Sequence, residues 1–156
     1  ILHPFKYRLE WLNLKSSQSL CKMPSIFTKI INGEITSYKV AETEDCFAFL
    51  DINPLAPGHT LVIPKKEVDY IFDLDEDTFI QLQLTAKKVA KAIKAVVPCN
   101  RIGLAVIGLE VPHAHIHLVP INHIGDINFA KAKIHMSADE LKNLAEQIST
   151  AYNKLP

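Results

Sequence analysis

The sequence has no surplus charge of either sign: seventeen Lys and Arg balance seventeen Asp and Glu, for a formal net charge of zero. No overall field therefore favours nucleic acid or an anionic membrane surface, and an anionic ligand must be held by a local site. Cysteine is scarce. Cys21, Cys46 and Cys99 are odd in number and widely spaced, with no CxxC pair, so neither a disulfide framework nor a cysteine zinc site is indicated. The expectation is reduced, partly buried thiols in a cytoplasmic protein. No apolar run approaches the ~18 residues of a membrane span, and no repeat or low-complexity tract occurs. The first 22 residues scatter Arg8, Glu10 and Lys15 among apolar residues, without the apolar core or small-residue cleavage site of a secretory leader. What remains is 156 residues, 48% hydrophobic and 22% charged, enough for one domain with a core of its own.

The domain reads as residues 23–156, because the pattern becomes regular after Met23-Pro24. Residues 1–22 read as an N-terminal extension or translated leader. Phe5, Leu9, Trp11, Leu12 and Leu14 in it suit one short amphipathic helix. Ser25 then stands as the N-cap of a short helix that Asn32-Gly33 stops. Tyr38 to Ala41, Cys46 to Leu50 and His59 to Pro64 read as strands, and Asp51 to Gly58, with two prolines, as a loop. A long helix is predicted over Asp75 to Val97. Its apolar stripe is Phe79, Leu82, Ala86, Val89, Ala90, Ile93 and Val97. Arg101 to Ile107 and Pro112 to Pro120 read as antiparallel strands across a Gly108-Leu109-Glu110 turn. Ser137-Ala138-Asp139-Glu140 is a capping box opening a final helix to about Tyr152. The plan is α+β, with an antiparallel sheet of five strands and two main helices.

Three of the seven histidines alternate in His113-Ala114-His115-Ile116-His117. Alternate strand residues share a face, so the three imidazoles are expected to project together, with Ala114, Ile116 and Leu118 on the other side. A metal site suits imidazole chemistry. However, residues i and i+4 on a strand lie ~13 Å apart, too far for one ion, and carboxylate or cysteine ligands are missing nearby. The other use of such a triplet is a nucleophile or general base in the middle, its tautomer fixed by the flanking rings.

Four blocks extend this pattern: Ile26 to Ile35 (IFTKIINGEI), Phe49 to Pro54 (FLDINP), Pro57 to Lys66 (PGHTLVIPKK) and His113 to Pro120 (HAHIHLVP). Together they resemble the histidine triad (HIT) family, in its Hint-like branch of nucleotide-binding hydrolases, from about Pro24 to the end. The resemblance implies a nucleotide hydrolase or transferase acting at the α-phosphate of nucleoside phosphoramidates or related nucleotides. Its intermediate would be a nucleotidyl-histidine on His115. It further implies that His113 supports His115 through its carbonyl and contacts phosphate, and that His117 and His59 form a supporting pair. Asp51 would bind the ribose hydroxyls. Ile26, Phe27, Ile30, Phe49, Leu50 and Ile52 would line the purine pocket. A homodimer is implied, joined through the strand from Arg101 and the long helix, with the apolar run Leu104 to Ile107 buried on both faces. No cofactor and no metal are implied. Ser25 and Thr28 stand where zinc-bearing relatives place two cysteines.

The pattern departs from the family just before the triplet. Gly103 to His113 is shorter than the family's Gly-rich approach, and Leu109 stands where a polar residue assists the leaving group. Slow turnover or an unusual substrate follows from that. The alternatives are a nucleotidylyltransferase or lyase, a nucleotide-binding regulatory module with little turnover, and, more distantly, a metal-binding protein.

Overall fold

The computed structural model describes residues 23–156; the extension of residues 1–22, with Cys21 and its apolar positions, lies outside the described residues. Helix α1 (Ile26–Ile31) is capped by Ser25, whose side chain accepts from the Thr28 N–H. Gly33, at φ +75, follows the helix in the left-handed conformation that a stop requires. Strands β1 (Lys39–Glu42), β2 (Cys46–Leu50) and β3 (Thr60–Pro64) come next, then helix α2 (Glu76–Val96), strands β4 (Arg101–Ala105) and β5 (Ile116–Ile121), and helix α3 (Ala138–Lys154). The strands form one antiparallel sheet in the order β1-β2-β3-β5-β4. The expected α+β architecture is therefore the observed one.

Helices α2 and α3 cover one face of the sheet. Leu82, Ala86, Val89 and Ile93 of α2 and Leu141, Ala145 and Ile148 of α3 are buried there against Val40, Ala48, Leu50, Val62, Ile116 and Leu118. Asp75 caps α2 by accepting from the Thr78 N–H, and Ser137 and Glu140 make the reciprocal capping box of α3. The other face carries a smaller cluster, Phe27, Phe47, Phe49, Leu61 and Ile63, with α1 laid across it. Gly58 turns the chain from the loop into β3 at φ +87, and a Cβ there would lie 2.9 Å from Val97 Cγ2. Both its backbone angle and this close approach require glycine.

Two strands differ from expectation. β5 begins at Ile116 rather than Pro112, and β4 ends at Ala105 rather than Ile107. The backbone donors before Ile116 are spent outside the sheet: His113 N–H on Val111 O at 2.8 Å and Ala114 N–H on Val68 O at 2.7 Å. Pro112 has no N–H to offer. β4 is the sheet edge in the single chain, where Leu104 is 53% exposed.

Candidate active site

The sheet register brings one row of side chains to the face opposite the two long helices: Phe49 pairs with Leu61, Leu61 with His117, and His117 with Ala105. Phe27 of α1 closes over this row, its ring edge-on to Phe49 at 5.6 Å and to His115 at 5.1 Å between centroids. His117 is therefore a strand residue on the site face, as alternation requires. His113 and His115 precede the strand, so their orientation comes from side-chain and loop contacts.

His113 is fully buried. Its Nε2–H donates to Pro64 O at 2.7 Å, and its Nδ1 lies 2.9 Å from Ser25 Oγ. With both ring nitrogens committed, the ring is not available to phosphate; this corrects the expected phosphate contact. The part of His113 that serves the site is its carbonyl, which accepts from His115 Nδ1 at 2.7 Å. A carbonyl only accepts, so the neutral His115 ring carries its proton on Nδ1 and leaves Nε2 with a bare lone pair. His115 also lines a cavity of about 470 Å³ with Tyr70, Phe72, Ile107, Leu109 and Ala114.

The next pair runs in the same sense. Leu55 N–H donates to His59 Nδ1 at 3.1 Å, and His59 Nε2 lies 3.0 Å from His117 Nδ1. Nδ1 of His59 is thus an acceptor and Nε2 carries its proton, donated to His117 Nδ1. His117 then carries its own proton on Nε2. Burial is the main cause that lowers both rings, to about 4 for His59 and about 3 for His117, the latter also depressed by the neighbouring histidines. Both are neutral at physiological pH, which this one-way proton order demands. His115 and His117 rings stand edge-on with centroids 4.8 Å apart.

Asp51 makes a turn beside the histidine pair. Its Oδ1 accepts from Asn53 N–H at 2.8 Å, an Asx turn, and Oδ2 lies 3.6 Å from His59 Nδ1. Because His59 is neutral, this is no ion pair. Burial raises Asp51 above the usual carboxylate range, against the opposing Asn53 N–H and the Lys133 charge.

The six apolar residues of the expected purine pocket separate. Phe27 and Phe49 are buried walls, Ile30 packs against them, and Ile26 and Ile52 are exposed at 49% and 65%. Leu50 lies across the sheet, fully buried against α2 and α3, so it belongs to the main core. Its neighbour Phe49 faces the site, and strand alternation sends the next residue the other way.

Two neighbours of the histidines were missed in the sequence. Phe129 stacks edge-on against His117 at 4.7 Å, and Lys133 sits above the Phe129 ring with its Nζ on Phe129 O at 2.9 Å. They reach the site because Ile134 N–H bonds to Pro54 O at 2.9 Å, tying the coil after β5 to the loop that carries Asp51. No spacing rule signals this contact. As for a metal, Asp51, His59 and His117 bring donor atoms within 4.8 Å of one another. A cation there would have to take His59 Nδ1 from the Leu55 N–H or break the His59–His117 bond. The donors are already used, and the cluster is a hydrogen-bonded pair beside a carboxylate.

An α+β sheet that presents an oriented imidazole, a neutral histidine pair and a carboxylate on its open face defines a class of histidine-centred sites. The HIT domain model matches residues 32–124, and this chain belongs to the HIT family. An uncharacterized HIT-like protein of Borreliella burgdorferi is 36% identical over 132 residues, covering 80% of this chain and 95% of that protein. The adenosine 5'-monophosphoramidase of Schizosaccharomyces pombe is 36% identical over 133 residues, 82% of this chain and 98% of that enzyme. Among solved structures, a Hit-like protein from Bartonella henselae superposes with a TM-score of 0.71 at 34% identity, covering 81% of this chain and 95% of that one. Among the described residues, no helix is long and apolar enough to cross a membrane.

Proposed function

We propose that this chain is a nucleotide hydrolase or transferase acting at the α-phosphate of a nucleoside phosphoramidate or related nucleotide, with His115 as its nucleophile. The observation that carries this reading is the 2.7 Å bond from His115 Nδ1 to His113 O, which leaves Nε2 of the neutral ring unprotonated on a residue that lines the cavity. In this mechanism Nε2 attacks phosphorus and the P–N bond to the amine breaks. The amine leaves with the bonding pair and a proton taken from solvent, which the attacking water of the second step returns, and His115 becomes a nucleotidyl-imidazolium. Water then attacks phosphorus, the P–Nε2 bond breaks, and the nucleoside monophosphate departs. His117, with its proton on Nε2, donates toward a phosphate oxygen, and the carbonyl of His113 stabilises the charge on His115. The monophosphoramidase activity named for the Schizosaccharomyces pombe relative supports the substrate class.

In this reading the base lies among Phe27, Phe49 and the exposed Ile26 and Ile52, and the ribose on Asp51 Oδ2. Asp51→Ala should weaken binding of AMP or GMP by about 1–3 kcal/mol, the usual cost of a lost charge-assisted hydrogen bond. Calorimetric titration checks this, and unchanged affinity removes Asp51 from the site.

The second reading, a nucleotide-binding regulatory module, is favoured by Leu109. It is 88% exposed on the loop beside His115 and offers the leaving group no proton or hydrogen bond. A fluorogenic adenosine phosphoramidate separates the two readings: turnover by the wild type supports the first, and tight AMP binding without turnover supports the second. If the first holds, Leu109→Gln should speed formation of the adduct in single-turnover kinetics, because a polar group is restored where the amine departs. No gain would show that the leaving group does not pass Leu109.

A homodimer and a cytoplasmic setting belong to the same proposal. The sheet edge at β4, with Leu104 53% and Ile107 47% exposed, and the exposed Ile80 and Leu84 of α2 form the apolar surface that a partner copy would cover.

A further inference from the structure

Because His113 and His115 stand outside the sheet, something else must hold the His113 carbonyl against His115. The segment from Pro64 to Val68 does this at two points. His113 Nε2–H donates to Pro64 O at 2.7 Å, and Ala114 N–H, between the two histidines, donates to Val68 O at 2.7 Å. Between these anchors lies Glu67, which the proposed chemistry does not use. Its Oε2 accepts from Ser25 N–H at 2.9 Å and from the Thr28 hydroxyl in a short hydrogen bond. Thr28 Oγ1 in turn lies 3.3 Å from Ser25 Oγ, and Ser25 Oγ lies 2.9 Å from His113 Nδ1.

Proton counting gives this chain a direction. An ionised carboxylate only accepts, so Glu67 takes the single hydroxyl proton of Thr28. Thr28 Oγ1 then has no proton left for Ser25. Ser25 Oγ already accepts from Thr28 N–H at 3.1 Å; its one proton has both the Glu67 carboxylate and His113 Nδ1 in reach, and with Thr28 already donating to Glu67 it serves His113 Nδ1, the neutral ring nitrogen that must accept. This agrees with the Pro64 carbonyl, which takes the proton on His113 Nε2, so the two ends of the ring are held in the same order from opposite sides. The Thr28 hydroxyl also keeps Glu67 below the usual carboxylate range, so the acceptor stays ionised.

We infer that Glu67 is a positioning residue for the nucleophile: through Thr28 and Ser25 it fixes the tautomer and seat of His113, and so the carbonyl that orients His115. The catalytic part of this inference rests on His115 being the nucleophile; the tautomer part does not. Glu67 is 42 residues from Ser25 and 39 from Thr28 in sequence. It thus links α1, the end of β3 and the histidine segment, three pieces that the sheet alone does not register.

The test is imidazole nitrogen NMR of the full chain at pH 7.5, combined with steady-state turnover of an adenosine phosphoramidate. The variants are Glu67→Gln and, as an independent break in the same chain, Thr28→Val. In the wild type His113 should show a protonated Nε2 and an accepting Nδ1. Glu67→Gln removes the charge and replaces one acceptor oxygen by a donor, which weakens the pull on the Thr28 and Ser25 hydroxyls, so the His113 Nδ1 signal and the Nδ1–H signal of His115 should both shift. Thr28→Val should act in the same direction, and it decides the matter if the Glu67 variant does not fold. Turnover should fall roughly 10- to 100-fold in kcat, with KM within about threefold, the pattern of a misplaced reacting group. An unchanged His113 spectrum in the folded variants overturns the relay, whatever happens to activity. A changed spectrum with unchanged kcat overturns its role in positioning. If the wild type turns over no phosphoramidate, the proposed activity fails, and the spectra alone decide whether Glu67 sets the His113 tautomer.

Discussion

His115→Ala should reduce phosphoramidate turnover by at least about 10³-fold, the scale on which removal of a nucleophile acts, while AMP affinity stays within about tenfold. The two halves of this result come from different parts of the site. In the proposed mechanism chemistry depends on Nε2 of His115, the site imidazole nitrogen that the proton order leaves with a lone pair, on a ring that lines the cavity. The proton on His117 Nε2 and the two committed nitrogens of His113 mean that neither neighbour can take over. Binding, in the same proposal, depends on Asp51 and the Phe27–Phe49 wall, which the substitution leaves in place. Single-turnover assays with calorimetric titration of AMP measure both halves. Full activity in the variant would remove His115 from the mechanism, and loss of AMP binding in step with turnover would mean that the ring serves the ground state.

The buried pair should also make the fold sensitive to mild acid. His59 and His117 are held at about 4 and about 3, against 6.5 for an ordinary imidazole. Below pH 6.5 the unfolded chain takes up protons that the folded chain refuses, so the stability these rings contribute is complete above 6.5 and is lost as pH falls toward 4 and then 3. Each tenfold difference in proton affinity between the folded and unfolded chain corresponds to about 1.4 kcal/mol. The loss across the window therefore reaches several kcal/mol, a large share of the total for a domain of this size. The carboxylates held below their usual values, Glu42, Glu67 and Asp75 among them, act in the same direction but only below about pH 4.5. Asp51, raised by burial, acts in the opposite sense. The diagnostic interval is thus pH 6.5 to 4.5, where denaturant titrations should show a steady fall in unfolding free energy. A flat profile there would mean that the pair is charged or exposed in solution.

Local rules read in the sequence carried far. The caps at Ser25 and Ser137, the start of α2 at Asp75, its apolar stripe and the short strands β2 and β3 stand within a residue or so of where periodicity and capping place them, because each depends on neighbours within a few positions. The HxHxH alternation correctly set His117 on the site face. It misplaced the origin of His113 and His115, whose orientation is fixed by Pro64, Val68 and Ser25, far off in sequence. Leu50 follows the same alternation against its expected role: it adjoins Phe49 in one strand, so both cannot lie on the histidine face of the sheet. Glu67, Phe129 and Lys133 carried no local signal. They come to the histidines through bonds such as Ile134 N–H to Pro54 O, which exist only once the chain has folded.

A covalent nucleotidyl-histidine is measured most directly by intact-protein and peptide mass spectrometry after a rapid quench with a slow adenosine phosphoramidate. The wild type should gain the mass of one adenylyl group on the peptide containing His115, acid-labile as a P–N bond is, and His115→Ala should gain none. Turnover by the wild type with no adduct under conditions where its hydrolysis is slowed, or an adduct that persists in His115→Ala, would contradict the account.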